Sequence, residues 1–136
     1  MRMKTLFAVI LTTAACGLIG AAGAQTQAAA KPVKSSGQCF NSRDWEGWRA
    51  AADSKAIYLR VGLKQIWRVD FASECSEVND PGVHLVTKTF DGSVCDALDL
   101  DIRVSDGMGM SMPCFVSGVT RLSEAEIKAL PKDQAP

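Results

Sequence analysis

The sequence holds one histidine, His84, in 136 residues, and that shortage narrows the available chemistry. A Ser-His-Asp site would have to use His84, yet no G-x-S-x-G elbow occurs in the chain. P-loop, G-x-G-x-x-G and H-E-x-x-H motifs are absent as well. There is no excess of positive charge: 15 basic side chains meet 15 acidic ones, which leaves no field to hold a nucleic-acid backbone. The cysteines lack the C-x-x-C spacing of a thiolate zinc site. Asp96, Asp99 and Asp101 lack the D-x-D-x-D-G loop and closing Glu of a calcium site, and read as a solvated acidic turn. Past residue 24 no transmembrane segment is expected in the mature chain.

What is present begins with residues 1–24. Arg2 and Lys4 precede an apolar run, and Ala22-Gly23-Ala24 follows it, the pattern of a secretory signal peptide cleaved after Ala24. Thr13-Ala14-Ala15-Cys16 is similar to a lipoprotein signal, although Thr stands where Leu is usual and apolar residues continue beyond the cysteine. The expected location is periplasmic or secreted, the alternative being a lipoprotein anchored to the membrane through Cys16. Cleavage removes two of the 15 basic residues and none of the 15 acidic ones, so the mature chain carries a net charge of −2.

Four cysteines remain: Cys39, Cys75, Cys95 and Cys114. In an exported chain an even number implies two disulfides, with three possible connectivities. The nested one, Cys75 with Cys95 and Cys39 with Cys114, is the expected pairing, because it ties the central hairpin to the next strand and closes the ends of the domain.

Residues 25–37 are polar, rich in Ala and Ser and without apolar period, and read as a disordered linker. In residues 42–49, Ser42 can cap a short helix that sets Trp45 and Trp48 on one side as core packing. The strongest pattern is residues 56–71, AIYLRVGLKQIWRVDF. Ile57, Leu59 and Val61 alternate with Tyr58 and Arg60, and Trp67, Val69 and Phe71 alternate with Ile66, Arg68 and Asp70, which is a hairpin of two strands. Matching the apolar faces with Leu63, Lys64 and Gln65 as the loop sets Val61 opposite Trp67. It also sets Arg60 opposite Arg68 on the outer face, an unfavourable pair that calls for acidic company.

Further strands are expected over residues 84–90, 93–95, 101–105 and 113–122. The last carries a Cys114-Phe115-Val116 run that suggests a central position, with a bulge at Gly118. Ser123 and Glu126 form a capping box that opens a helix over residues 124–130, stopped by Pro131.

Two groups of residues suggest binding. Met108, Met110 and Met112 alternate with Gly109 and Ser111, and three thioethers on one side of an extended segment suit Cu(I); packing or a mobile loop is the plainer account. Arg60, Arg68 and Arg103 can form an anion-binding outer face, with charge pairing to Asp70 and Asp101 as the plainer account.

With these residues in view, the chain resembles a family of small exported proteobacterial proteins of unknown function. The resemblance rests on the Cys39-Phe40 start and the Trp45 to Trp48 region, the strand pair, Cys75, the VCDALDLDIRV stretch and the closing CFVSGVTRLSEAEIKAL. It implies an envelope protein with paired cysteines and carries no active site; the Met108 to Met112 loop is not part of the pattern.

The expected fold is mainly β: a small disulfide-stapled antiparallel sheet or partial barrel of five to six strands, with a short N-terminal helix and a C-terminal helix. The expected organisation is signal peptide 1–24, linker 25–37, one domain 38–130 and a tail 131–136. The expected function is a non-enzymatic binding or structural module of the envelope without a cofactor, its partner an envelope protein or small ligand. A copper-binding protein is the alternative, and an enzyme with an unrecognised site the third.

Overall fold

The computed structural model describes residues 37–136; the expected signal peptide with Cys16 and Ala24, and all of the expected linker but Gly37, lie outside the described residues. The central hairpin forms where the alternation puts it. β3 (Ala56–Val61) and β4 (Gln65–Phe71) pair antiparallel, between β2 (Trp45–Ala50) and β9 (Val116–Arg121), in a sheet ordered β2-β3-β4-β9. A second sheet, β5-β7-β8, is built from β5 (His84–Thr89), β7 (Leu100–Ser105) and β8 (Ser111–Cys114). A third, two-residue ladder joins β1 (Phe40–Asn41) to β6 (Ser93–Val94). The fold is thus mainly β as expected, but with nine strands among the described residues in three antiparallel sheets, none of them closed.

Inward side chains of all three sheets meet in one core. Ile57, Leu59, Val69 and Trp67 from the hairpin pack with Phe40, Val94, Ile102 and Val119, and the Phe40 and Trp67 rings lie 4.9 Å apart between centroids. The other face of the hairpin is also covered. Tyr58 and Ile66 are buried with Ala51 and Ala56 beneath Leu122, Ile127 and Leu130, the last two carried by and just past α1 (Glu124–Ala129). The Ser123–Glu126 capping box that opens α1 is formed in both directions, and Leu130 ends it before Pro131.

Several expectations are corrected. The hairpin keeps the expected match of apolar faces, but its register is offset: Val61 pairs with Gln65, Leu59 with Trp67 and Tyr58 with Arg68. Gly62 takes the left-handed backbone (φ 59°), so the reversal starts there, one residue earlier than expected. Arg60 consequently faces Ile66, and Arg68 faces Tyr58.

No helix follows Ser42. A 3-10 turn at Ser42–Asp44 leads straight into β2. Trp45 and Trp48, three apart, still pack on the same core, because the ladder skips Glu46: Trp45 pairs with Val61 and Gly47 with Arg60. One extra residue restores the parity that a spacing of three would break.

Residues 113–122 do not make one central strand. The chain leaves one sheet at Cys114 and enters another at Val116, and β8 and β9 are both edge strands. On β9 the ladder skips Ser117, next to the expected Gly118. The Ser117 hydroxyl donates to the carbonyl of Asp70 at 3.2 Å.

The disulfides are Cys39–Cys95 and Cys75–Cys114, not the nested pair. The β1–β6 ladder decides the first: Phe40 faces Val94, so Cys39 and Cys95, one residue outward on each strand, come to a Cα separation of 4.2 Å. A two-residue ladder leaves no period in the sequence, which is why the pairing could not be read there. Two disulfides fit a non-reducing, extracellular or periplasmic environment. Among the described residues no helix is long and apolar enough to cross a membrane.

Candidate functional site

The most unusual surface lies at one end of the β5-β7-β8 sheet. Lys88 and Thr89, the last residues of β5, pair with Asp101 and Leu100 at the start of β7. Phe90 then leaves the ladder and points to solvent. Asp91 and Gly92 reverse the chain, with the Asp91 carboxylate accepting the Ser93 N–H at 2.8 Å and Gly92 at φ 86°.

Between β6 and β7 the chain makes a 3-10 turn at Ala97–Asp99 that is tied at both ends. Asp96 accepts the Leu98 N–H at 2.8 Å. Asp99 reaches back to the N–H groups of Cys95 and Asp96 at 2.9 and 3.1 Å. The turn buries Ala97 and Leu100 and holds Leu98 out between them.

Across the sheet, Phe115 sits at the jump from β8 to β9. Its carbonyl accepts the Ala72 N–H at 2.8 Å, and the preceding Cys114 is disulfide-bonded to Cys75, so the backbone is fixed while the ring faces outward. Phe90, Leu98 and Phe115 are 99, 94 and 70% exposed. Leu98 and Phe115 line a groove of about 450 Å³ with Leu100, Pro113, Asp101 and Arg103. Phe90 stands beyond the end of β5 and is not among the residues that line this groove. Leu98 could have been found from the reciprocal Asp96-x-x-Asp99 spacing, which is a capping signal; Phe115 could not, because its neighbours read as core.

Of the residues singled out in the sequence, Arg103 and Asp101 line this groove and Asp96 and Asp99 bracket Leu98 beside it; the others fall elsewhere. Arg60 and Arg68 stand on the other sheet, each beside its own carboxylate: Arg60 Nε lies 3.5 Å from Glu46, and Arg68 Nε donates to Asp70 at 2.7 Å. The Arg68 guanidinium also lies 5.9 Å from the centre of the Tyr58 ring. Partial burial pulls the Arg68 pKa down, but the hydrogen bond and charge of Asp70 outweigh it and hold the guanidinium above its ordinary value. Arg103 is in the β5-β7-β8 sheet, so the three arginines are not gathered into one anion-binding face.

The methionine segment is divided. Met110 and Met112 line a cavity of about 160 Å³ with Val83, Val104, Glu77 and Asp106. Met108 is 86% exposed and is not among the residues lining that cavity. The Asp106 carboxylate accepts the N–H groups of Met108 and Met110 at 2.8 and 3.2 Å, which shapes the loop. Among the described residues no group of three or more His, Cys, Asp or Glu is placed to hold a metal ion. His84 is exposed at the start of β5, opposite Ser105. Trp45 and Trp48 border a shallow cleft of about 260 Å³ with Leu85 and Thr87, and the Trp45 indole N–H is taken up by the Gly47 carbonyl at 3.0 Å.

The model of a family of unknown function (DUF6491) matches residues 1–136. No curated protein and no solved structure matches the chain.

Proposed function

The chain belongs to DUF6491, a family of unknown function, and we propose that it is a non-enzymatic binding module of the bacterial envelope, exported by a signal peptide cleaved after Ala24. The observation that carries this reading is the exposure of Phe90, Leu98 and Phe115 at one end of a sheet that a disulfide and a capped turn hold in place. Folding leaves such side chains in water at a cost of about 25 cal/mol for every Å² of apolar surface that could have been buried, which a partner recovers on docking. The partner is an envelope protein rather than nucleic acid, since the mature chain has no net positive charge to offer.

The purified oxidised protein, assayed against a broad panel of hydrolase substrates, is expected to turn over none of them. Turnover that disappears in His84→Ala would overturn the reading.

A second reading, Cu(I) binding, is favoured by one observation: Met110 and Met112 line the same cavity. Two thioethers are suitable soft ligands, and Met108 would have to be recruited from solvent. Cu(I) titrated against a competing chelator should distinguish wild type from Met110→Leu/Met112→Leu; equal affinities would end this reading.

A further inference from the structure

We propose that the Phe90, Leu98 and Phe115 end of the β5-β7-β8 sheet is the docking surface for a basic amphipathic segment of a partner protein, one that inserts apolar side chains between Leu98 and Phe115 and sets Lys or Arg around them. The proposal rests on the binding-module reading and names its surface and the chemistry of its partner.

The centre of the surface is apolar and its border is acidic. Asp91 follows Phe90, Asp96 and Asp99 bracket Leu98, and Asp101 lines the groove. Against these four carboxylates stand Lys88, which faces Asp101 across the ladder, and Arg103 in the groove wall. Asp91, Asp96 and Asp99 accept backbone N–H groups, which fixes where their side chains stand. In the groove wall Asp101 and Arg103 offset each other, and the excess comes from the turns around it: four carboxylates against two cations leave this end of the sheet with two negative charges more than positive, which draws in cations.

That sign chooses among occupants. A second copy would bring the same four carboxylates against these, and like charges across an interface are costly. An anionic lipid surface is repelled for the same reason. A segment with alternating apolar and basic residues satisfies both the groove and its border.

Recognition falls to side chains more than to strand addition. β8, which forms the groove wall, is an edge strand, but it contains Pro113, which brings no N–H to an added strand. The groove is held in shape before binding. Cys75–Cys114 and the Ala72–Phe115 hydrogen bond hold one wall, and the Asp96–Asp99 capping box holds the other. Little ordering is then left for the partner to bring about.

The test uses the oxidised protein and a fluorescein-labelled 12-residue peptide of alternating leucine and lysine, with a leucine and glutamate peptide of equal length as control. Anisotropy titration at low salt should show the lysine peptide binding at least ten-fold more tightly than the glutamate peptide. Leu98→Ser and Phe115→Ser, both at exposed positions and so expected to keep the wild-type melting temperature, should each weaken the lysine peptide five-fold or more. Asp101→Lys should narrow the difference between the two peptides.

Equal affinity in wild type and in the Leu98→Ser/Phe115→Ser double variant overturns the proposal, as does equal binding of the two peptides. Self-association in sedimentation that Phe115→Ser abolishes would assign the surface to a second copy instead. Flotation with anionic phospholipid vesicles that the same variant abolishes would assign it to the membrane. Either result also overturns the proposal. A failure here leaves the binding-module reading standing, because that reading is overturned by substrate turnover.

Discussion

The N–H of Ala72, just past β4, donates to the carbonyl of Phe115 at 2.8 Å, and three residues on Cys75 is bonded to Cys114. The two bonds pin the point where the chain passes from one sheet to the other. Cys75→Ala/Cys114→Ala removes the covalent part. With the two cysteines 39 positions apart in sequence, loop entropy puts the loss at about 4 kcal/mol. Urea unfolding should show that loss together with faster amide exchange in β8; an unchanged midpoint would mean that the crossover is held by the core alone.

Asn79 ties two distant turns. Its amide donates to the Ser54 hydroxyl at 2.8 Å and to the Ala51 carbonyl at 3.2 Å. Ser54 itself is buried with a left-handed backbone (φ 55°), a conformation that needs support. Asn79→Ala is expected to cost about 1–3 kcal/mol, since it leaves the buried Ser54 hydroxyl without its partner, while the Ala51 carbonyl keeps the Ser54 N–H at 3.0 Å. Asn79→Asp, which can still accept from the hydroxyl but sets a carboxylate oxygen against the Ala51 carbonyl where a donor stood, should cost at least as much. Chemical denaturation of the two variants provides the check.

Deleting Glu46 removes the extra residue of β2. In the regular strand that results, Trp45 and Trp48 stand two apart and keep the same face, opposite Val61 and Leu59. Tryptophan emission is therefore expected to keep its wild-type wavelength after the deletion, and a red shift would mean that the bulge itself is needed to seat the two rings.

Glu126 titrates with α1. The Ser123 hydroxyl, and after it the Ser123 N–H, hold its carboxyl below the usual carboxylate range. A lowered folded-state pKa gives stabilisation that is present above the ordinary carboxylate pKa, about 4.3, and is lost as pH falls through the lower folded-state value. Amide exchange of residues 124–129 should therefore accelerate on acidification below that point, and Ser123→Ala should move the onset upward. Glu126→Gln should remove this pH dependence while retaining part of the cap.

Export has its own observable. The intact mass of the protein from its native envelope should begin at Gln25 and rise, on reduction and alkylation, by the amount for four cysteines. A diacyl or triacyl group on Cys16 would place the protein on a membrane surface, and free thiols without reduction would contradict the paired cysteines.

Local periods were legible and long-range ones were not. The strict alternation of residues 56–71 fixed which faces of the hairpin match, because a slip of one residue would expose the apolar set. It could not distinguish registers two residues apart, and a positive φ at Gly62 made that choice. The Ser123–Glu126 box was readable because both partners lie within one turn. Trp45 and Trp48 resembled a helix face because a bulged strand also brings residues three apart to one side, as Val116 and Val119 do around Ser117. Of the candidate site, Asp101 and Arg103 were placed on the outer face of a strand as found, while Phe115 read as core because nothing in its neighbours reports a jump between sheets.

The order of the cysteines along the chain has a consequence for biogenesis. With Cys39 bonded to Cys95 and Cys75 to Cys114, the two loops interlock in sequence, and neither bond joins consecutive cysteines. In a chain that threads N-terminus first into an oxidising space, Cys75 emerges beside Cys39 before Cys95 is available. A catalyst that merely oxidises neighbours in order of arrival would thus lock the wrong pair, and the yield of native protein should depend on a thiol isomerase that can undo that first bond.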